Sequence, residues 1–392
     1  MKPIIHIVYD CVPGAFAGGV QKMVFELASA QQRAGAHVEV WTVNALRAGS
    51  TENHGGLTIR YFMPDWAFGL IQSKRLTAQL RSRGDDVIVH GHNTFQPLNR
   101  DIADVVRARG IAVYYHPHGA LDPALFAGWS WSAWKKKFYI YFISRVKLSR
   151  ANGVFALTYR EQLQLRSLGI TAPIIVMPNG IDAAEWKELP PAAQASLRQD
   201  FRAKHQVPPD AKVLLFIGRI NPKKKLEDII GAFTRLASVE PTLFLVIAGQ
   251  AESAYYHTLQ ELVAAAGLTD RVRWVGFLDE RTKPAAFAGA DYFIHASISE
   301  GMALAILEAM AHGLPVVATQ GCYMQAAAAA GALRECEQGP AALAAALTPL
   351  IASAEAAQGL GAAGRHYVQQ VHNWDWLAQQ YLQIYAAGPP TP

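Results

Sequence analysis

Ser297-Ile298-Ser299-Glu300-Gly301-Met302-Ala303-Leu304-Ala305-Ile306-Leu307-Glu308-Ala309-Met310, followed by His312-Gly313-Leu314-Pro315-Val316-Val317, is the most informative stretch of the chain. It lies between two short apolar runs, Tyr292 to His295 and Pro315 to Thr319, so the segment reads as strand, loop, helix and strand. A helix starting near Met302 presents unpaired backbone N–H groups and a positive dipole end beyond the first strand, which suits an anionic group such as phosphate. Eight residues of helical rise is roughly 12 Å. Glu300 and Glu308 are therefore expected to address opposite ends of a ligand whose middle rests on the helix start, and a diphosphate-linked sugar nucleotide has that form. Taken alone, Glu308 reads equally well as a solvated helix face or a partner of the helix dipole.

Working outward, the same alternation fills both halves. The second half carries Val213 to Ile217, Leu243 to Ala248 and Val272 to Val275. The first half carries Ile4 to Tyr9, Val38 to Thr42, Thr58 to Phe62, Val87 to His90, Ile111 to Tyr115, Val154 to Leu157 and Ile174 to Met177. Helical patterns separate them, such as Val20 to Arg33 closed by Gly35. Such βαβ units wind parallel sheets. The expected fold class is α/β, with two facing doubly wound Rossmann-like domains. They span residues 1–185 and 213–370, joined by a linker over 186–212 that contains Pro190-Pro191 and Pro208-Pro209. Residues 371–392 read as a C-terminal helix and tail, with helical spacing of Trp376, Leu377, Tyr381, Ile384 and Tyr385, crossing back to the first domain. The alanine-biased run Ala326 to Ala330 reads as a helix or its approach and carries no chemistry. Each domain opens with a strand, a glycine turn and a helix, at Gly18-Gly19 and at Gly218-Arg219. Ligands of such sheets bind beyond the carboxyl ends of the strands, so the two sites are expected across one cleft.

A length of 392 residues corresponds to two or three units of ordinary size. Hydrophobic residues at 51% against 17% charged exclude a disordered chain. A formal charge of +5 spread over this length is no footprint of a nucleic-acid binder, but it permits an anionic ligand or an acidic membrane surface. The three cysteines, Cys11, Cys322 and Cys336, are too few and too widely spaced for a disulfide framework and fit a reducing cytosol. Met1-Lys2-Pro3 and a short apolar run ended by Asp10 lack the pattern of a signal peptide. No stretch offers about 18 apolar residues to span a bilayer. The expected location is cytoplasmic, as a soluble protein or a peripheral one on the inner face of the plasma membrane.

The Glu-x7-Glu signature set in Ser-x-Ser-Glu-Gly and Leu-Glu-Ala-Met, followed by Gly-x-Pro-Val-Val, resembles the retaining GT-B glycosyltransferases of family 4. The resemblance runs over nearly the whole chain. Gly18-Gly19-Val20 is similar to the family's N-domain glycine loop, Pro178-Asn179-Gly180-Ile181-Asp182 to its Asn-Gly-Val-Asp element, and Gly218-Arg219-Ile220-Asn221-Pro222-Lys223-Lys224 to its Gly-Arg-Leu-x-x-x-Lys segment. The resemblance implies transfer of a sugar from a nucleotide sugar, of UDP-sugar or GDP-mannose type, to a glycan or lipid-linked acceptor in polysaccharide or glycoconjugate assembly. Arg219, Lys224 and the helix start near Ala303 and Leu304 would hold the diphosphate, with Gly19 in the donor-binding set. Glu308 would bind the ribose, and Glu300 and His118 the donor sugar. No Asp-x-Asp occurs in the sequence to hold a metal. Arg219 and Lys224 could neutralise the leaving group directly, a fork-shaped donor beside a point charge. The expectation is a metal-independent hexosyltransferase needing no cofactor. Without that context, Lys223 to Lys225 reads as a solvated charge run.

Two histidine pairs, His90 with His92 and His116 with His118, sit beside strand ends and are expected not to chelate a metal without a turn; no Cys or Asp stands at ligand spacing. His118, in Tyr115-His116-Pro117-His118-Gly119, matches the family histidine that faces the donor sugar; the alternative is a satisfied loop histidine. The stretch from Trp129 to Phe138, Trp-Ser-Trp-Ser-Ala-Trp-Lys-Lys-Lys-Phe, fits an anionic membrane surface, because aromatics and lysines favour the headgroup boundary. Yet at helical spacing Lys135, Lys136 and Lys137 fan across roughly 200°, which equally suits ordinary packing with snorkelling lysines.

Three positions depart from the family pattern. Met302-Ala303 stands where Phe-Gly is common, Lys225 replaces a glycine, and Gly321-Cys322-Tyr323-Met324-Gln325 lacks the glutamate often found beyond Thr319. Two rival readings remain. A non-catalytic, membrane-associated subunit would keep the fold without turnover. An NAD-linked enzyme would need Gly-x-Gly-x-x-Gly, where this chain reads Gly14-Ala15-Phe16-Ala17-Gly18-Gly19.

Overall fold

A strand that is apolar at nearly every position must be covered on both faces, and alternate apolar residues of Ile4–Tyr9 enter two different cores. In the computed structural model, Ile5 and Ile7 pack with Val89 and Val154 on one face, while Ile4 and Val8 pack with Met23 and Leu27 on the other. The structure describes residues 1–14, 16, 18–67, 70–92, 97–123, 131–182, 189–251 and 253–388. The chain divides into two units, residues 1–180 with 373–392, and residues 181–372.

The first unit contains β1 (Ile4–Tyr9), β2 (Val38–Val43), β3 (Thr51–His54), β4 (Leu57–Phe62), β5 (Asp65–Ala67), β6 (Leu70–Gln72), β7 (Ile88–His92), β8 (Ala112–His116), β9 (Gly153–Ala156) and β10 (Ile174–Val176). Eight of them form one sheet in the order β10-β9-β8-β7-β1-β2-β4-β3. All neighbours in it are parallel except β3, which runs antiparallel to β4; β5 and β6 form a separate antiparallel pair. The order reverses at β1, where Ile4 pairs with Val38 on one side and Ile88 on the other.

The C-terminal helix Trp374–Ala387 belongs to this unit, as the sequence predicts, and buries Leu377, Tyr381 and Tyr385 against the helix Gly19–Arg33 side of the sheet. Asn373 caps its first turn, accepting from the Asp375 N–H at 2.8 Å. Trp374 is the anchor. Its indole N–H donates to Glu26 Oε2 at 2.7 Å, and its ring lies so close to Gly180 that a Cβ there would come within 2.4 Å of it.

The second unit contains β11 (Lys212–Ile217), β12 (Leu243–Ala248), β13 (Val272–Gly276), β14 (Tyr292–His295), β15 (Val316–Thr319) and β16 (Arg334–Cys336). They form an all-parallel sheet in the order β13-β12-β11-β14-β15-β16, which reverses at β11. Both sheets are thus doubly wound. The short strands β3, β5, β6 and β16 escaped the sequence reading; β3, Thr-Glu-Asn-His, is a polar edge strand with no apolar run to mark it.

The stretch 186–212 is not a linker where it is described. Pro190 and Pro191 stand at the start of a helix, Pro191–Lys204, a position that proline favours because its missing N–H would have no partner there. Phe201 of that helix is buried with Phe287 in the core of the second unit. Arg202 is buried beside it, donating to Pro209 O at 2.7 Å and Ala211 O at 2.9 Å and pairing with Asp291 at 2.8 Å. The second unit accordingly extends from Ile181 to His372, and residues 186–188 lie outside the described residues.

Trp374→Ala should lower the stability of the first unit by about 3–5 kcal/mol, the usual cost of emptying a buried indole site. Arg33→Ala, which breaks a half-exposed ion pair with Asp375 at 2.7 Å, should cost under about 1 kcal/mol. Chemical denaturation followed by circular dichroism checks both, and similar costs for the two would refute the anchoring role of Trp374.

Candidate functional site

In a doubly wound sheet the place where strand order reverses leaves a crevice beyond the carboxyl ends of the two central strands. In the second unit those strands are β11 and β14. The chain leaving β11 runs through Gly218, Arg219 and a short turn at Pro222–Lys224 into the helix Leu226–Ala237. The chain leaving β14 runs from Ala296 to Ala303 and enters the helix Leu304–Ala311. Backbone bonds tie the two loops together. The Ile298 N–H donates to Lys223 O at 2.9 Å, and the Glu300 N–H to Gly321 O at 2.9 Å. Gly321 has no room for a side chain: a Cβ there would sit 1.9 Å from Ser297 O.

This arrangement brings Lys224 and Glu300 into contact. Lys224 Nζ lies 2.7 Å from Glu300 Oε1 and 3.3 Å from His295 Nε2, and Ser297 Oγ donates to Glu300 Oε1 at 2.5 Å. Burial alone would push the Glu300 carboxyl up. Lys224, His295 and Lys223 outweigh it and hold the group down at about 2. Burial, reinforced by the Lys224 charge, holds His295 down at about 3, so its imidazole is neutral and Nε2 accepts from the ammonium. Arg219 is exposed, with no hydrogen-bond or ion-pair partner among the described residues. No side chain caps the helix that begins at Leu304, where Ala303 occupies the N-cap position.

The helix therefore starts two residues later than Met302, and only part of the way from Glu300 to Glu308 is helical. The rise estimated for eight helical residues does not apply. Glu308 is not a solvated face either. It is buried and paired with Lys283 at 2.7 Å, and Lys283 also reaches Glu280 at 2.8 Å. Sequence reasoning missed Lys283, Ser297 and His295. His295 and Ser297 directly precede the glutamate motif and could have been found there, whereas nothing in the local sequence links Lys283 to a residue 25 positions downstream.

In the first unit the reversal lies at β1, flanked by β7 and β2, and five histidines gather at β1, β7, β8 and the turn after β8. Residues two apart on a strand share a face, so His90 and His92 point the same way and need no turn to converge, contrary to expectation, whereas His118 does meet His116 through the turn after β8. One ring nitrogen from each of His6, His90 and His92 lies within 4.8 Å of the others, and the same holds for His92, His116 and His118. His118 is only partly buried and adopts φ +57, a left-handed conformation that costs a non-glycine residue about 1–2 kcal/mol. Glu161 holds that turn, accepting from the Gly119 N–H at 2.6 Å and the Leu157 N–H at 2.7 Å. Burial raises the Glu161 carboxyl to about 7. Gly19 is the first residue of its helix, behind an extended Gly18 with no side-chain cap; Ala15 and Ala17 lie outside the described residues.

Trp129 and Ser130 also lie outside the described residues. From Trp131 to Tyr139 the chain is helical and continues through a wider turn, Ile140–Ser144, into Arg145–Ser149. Trp134, Phe138, Tyr141 and Phe142 are all at least half exposed, and the Phe138 and Phe142 rings are 4.7 Å apart. Among the described residues no single helix is long and apolar enough to cross a membrane.

The depressed carboxyl of Glu300 sets a sign for stability. Its ionised form is favoured in the fold, so the contribution is complete above the ordinary carboxylate range and is lost as pH falls toward about 2. Lys224→Met should therefore destabilise the second unit markedly near pH 7 and much less near pH 3. Thermal midpoints at the two pH values check this, and an equal cost at both would contradict the coupling.

The family model described as Glycosyltransferase Family 4 matches residues 17–185, and that described as Glycosyl transferases group 1 matches residues 198–367. The chain is 32% identical over 149 residues to alpha-monoglucosyldiacylglycerol synthase of Streptococcus pneumoniae, covering 38% of this chain and 33% of that protein. It is 32% identical over 220 residues to a D-inositol 3-phosphate glycosyltransferase of Streptomyces griseus, covering 54% and 45%. The matches thus span under half the length of these relatives. Among solved structures, sucrose-phosphate synthase of Thermosynechococcus elongatus aligns with a TM-score of 0.79 at 22% identity, over 99% of both chains. HepE of Anabaena, in complex with UDP-glucose, aligns with a TM-score of 0.77 at 19% identity, over 99% of this chain and all of that one. At these identities the two structures establish the likeness of fold.

Proposed function

Because the chain belongs to the GT-B glycosyltransferases of the family 4 type, we propose that it moves a hexose from a nucleotide sugar to a hydroxyl of a glycan or lipid-linked acceptor, with retention of anomeric configuration. The observation that carries this reading is the cluster of Lys224, Glu300, His295 and Ser297 at the β11/β14 reversal, beside an uncapped helix start. Two cations and a row of helix amides suit a diphosphate. Arg219, exposed and without a partner, presents a fork that matches phosphate oxygens. Lys224 exchanges its carboxylate for phosphate when donor binds, which releases Glu300 to accept from sugar hydroxyls. Glu308, fixed by Lys283, is assigned to the ribose, and His118 to a sugar hydroxyl.

As the bond between the anomeric carbon and the phosphate oxygen breaks, the electron pair leaves with the diphosphate, and Lys224, Arg219 and the N–H groups near Ala303 and Leu304 meet that charge. The acceptor oxygen bonds to the anomeric carbon on the same face and passes its proton to the departing phosphate oxygen. This route requires no protein nucleophile, and the side-chain cations take the part that a metal plays elsewhere, so transfer is metal-independent in this reading. A UDP-sugar is the first donor to try, since HepE is solved with UDP-glucose. The exposed aromatic row of Trp134, Phe138, Tyr141 and Phe142 beside Lys135 and Lys137 suits an anionic leaflet, and with it a lipid-linked acceptor.

Thermal stabilisation by UDP-, GDP- and ADP-sugars should pick out one base, because a ligand bound to the folded state raises stability by mass action. With that donor, Lys224→Met and Glu300→Gln should each lower kcat/KM by about a hundredfold or more, and EDTA should leave transfer unchanged. Transfer rates near those of the wild type in both variants would remove the site assignment.

A further inference from the structure

Three of the five clustered histidines of the first unit form an unbroken series of hydrogen bonds. Gln31 Oε1 is 2.7 Å from His6 Nε2, His6 Nδ1 is 3.0 Å from His92 Nε2, and His92 Nδ1 is 3.0 Å from His118 Nε2. Gln31, His6 and His92 are buried, and His118 alone is open to solvent in part. Burial holds His6 down at about 4, His118 at about 3 and His92 well below the ordinary range, so all three rings are neutral near pH 7.

A neutral imidazole has one N–H donor and one bare acceptor nitrogen. In a series linked nitrogen to nitrogen, the direction of one hydrogen bond therefore fixes every other. Only two arrangements are self-consistent: all three protons on Nε2, or all three on Nδ1. The end of the series chooses between them. A carbonyl oxygen can only accept, so Gln31 Oε1 requires the proton of His6 on Nε2, which makes His6 Nδ1 an acceptor from His92 Nε2–H and His92 Nδ1 an acceptor from His118 Nε2–H.

The Gln31 amide meets the series through its oxygen: Oε1 lies 2.7 Å from His6 Nε2, while the amide nitrogen makes no hydrogen bond among the described residues. The Tyr385 hydroxyl lies 2.7 Å from His90 Nδ1, outside the series.

We propose that Gln31, acting through His6 and His92, sets the tautomer of His118, so that His118 carries its proton on Nε2 and presents a bare Nδ1 that accepts from a substrate hydroxyl and repels a phosphate oxygen. No hydrogen-bond partner for His118 Nδ1 exists among the described residues. The strained backbone of His118, held by Glu161 through the Gly119 N–H, keeps the ring against His92 with the centroids 5.2 Å apart and the planes within 20°. Gln31, His6 and His92 are positioning residues. The identity of the hydroxyl as a sugar's rests on the proposed glycosyl transfer, but the tautomer does not.

The test uses the full chain labelled with 15N histidine and no substrate, so its failure would leave the glycosyl-transfer reading standing. Two-bond 1H–15N correlations report which ring nitrogen is protonated, and His118→Asn identifies the His118 signals. The wild type should show His118 as the Nε2–H form. Gln31→Leu and His6→Phe each cut the series and should raise the Nδ1–H population of His118 by about tenfold, the equivalent of one hydrogen bond. An Nδ1–H form in the wild type, or no change in either variant, would overturn the proposal. So would stoichiometric Zn2+ binding that shifts the His6 and His92 rings, since a metal would occupy the nitrogens that the series requires.

Discussion

Parallel strands can be joined only by crossover connections, and that constraint gathers every loop that follows a strand onto one edge of its sheet. The helices that make the crossovers cover both faces with apolar side chains, so polar groups have one place left where strand order reverses and neighbouring crossovers part. In the second unit, Lys224, His295, Ser297 and Glu300 occupy that place. In the first, His118 stands in the turn beyond β8, and His6 and His90 are exceptions, on the covered face of the sheet against Gln31 and Tyr385 of the helices Gly19–Arg33 and Trp374–Ala387. The chemistry of each unit is thus a by-product of how its sheet is wound, with the identity of the polar residues added on top.

The two reversals solve the cost of buried polarity in different ways. Lys224 and Glu300 are both mostly buried, with 13% and 12% of their side chains exposed, and taking two charges out of water is expensive unless each finds the other. Their pairing keeps both charged in a site without ligand, and a diphosphate can later replace the carboxylate with little change in the surroundings of the ammonium. The five clustered histidines of the first unit shed their charge instead, and neutrality is what allows ring nitrogens to lie 3.0 Å apart in series. The remainder is not fully satisfied: among the described residues His116 has no partner at either nitrogen, nor has His90 at Nε2. Such orphaned buried groups are a reservoir of cost that stability alone does not explain.

Most of the fold was legible because period and composition are local properties. Leu243–Ala248 and Tyr292–His295 end where their apolar runs end, and the helix Trp374–Ala387 follows its spacing of apolar residues. What was not legible depends on distant partners. Phe201 and Arg202 look like one aromatic and one charge in a polar stretch, and only Phe287 and Asp291 turn them into part of a core. The site divides in the same way. Glu300 and Lys224 stand out by motif, but their contact spans 76 residues of chain. Lys283 on Glu308, and the convergence of three histidine-bearing segments, depend on strand order, which no single segment states.

Two of the departures from the family pattern are accommodated by a particular local geometry. Ala303 adopts φ −76 at the helix N-cap, a conformation open to any residue, so the extra Cβ leaves the helix start intact. Lys225 is different. It occupies φ +47 and ψ +44, the left-handed region in which glycine is at ease, and a side chain there costs about 1–2 kcal/mol. Part of that is offset where Lys225 reaches Glu227 at 3.0 Å, at the first turn of the following helix. The substituted position lies next to Lys224, yet the backbone still adopts the shape that glycine would allow. The loop is therefore held by what surrounds it, the backbone bonds from the β14 loop above all, and the placement of Lys224 against Glu300 does not depend on a glycine at the turn.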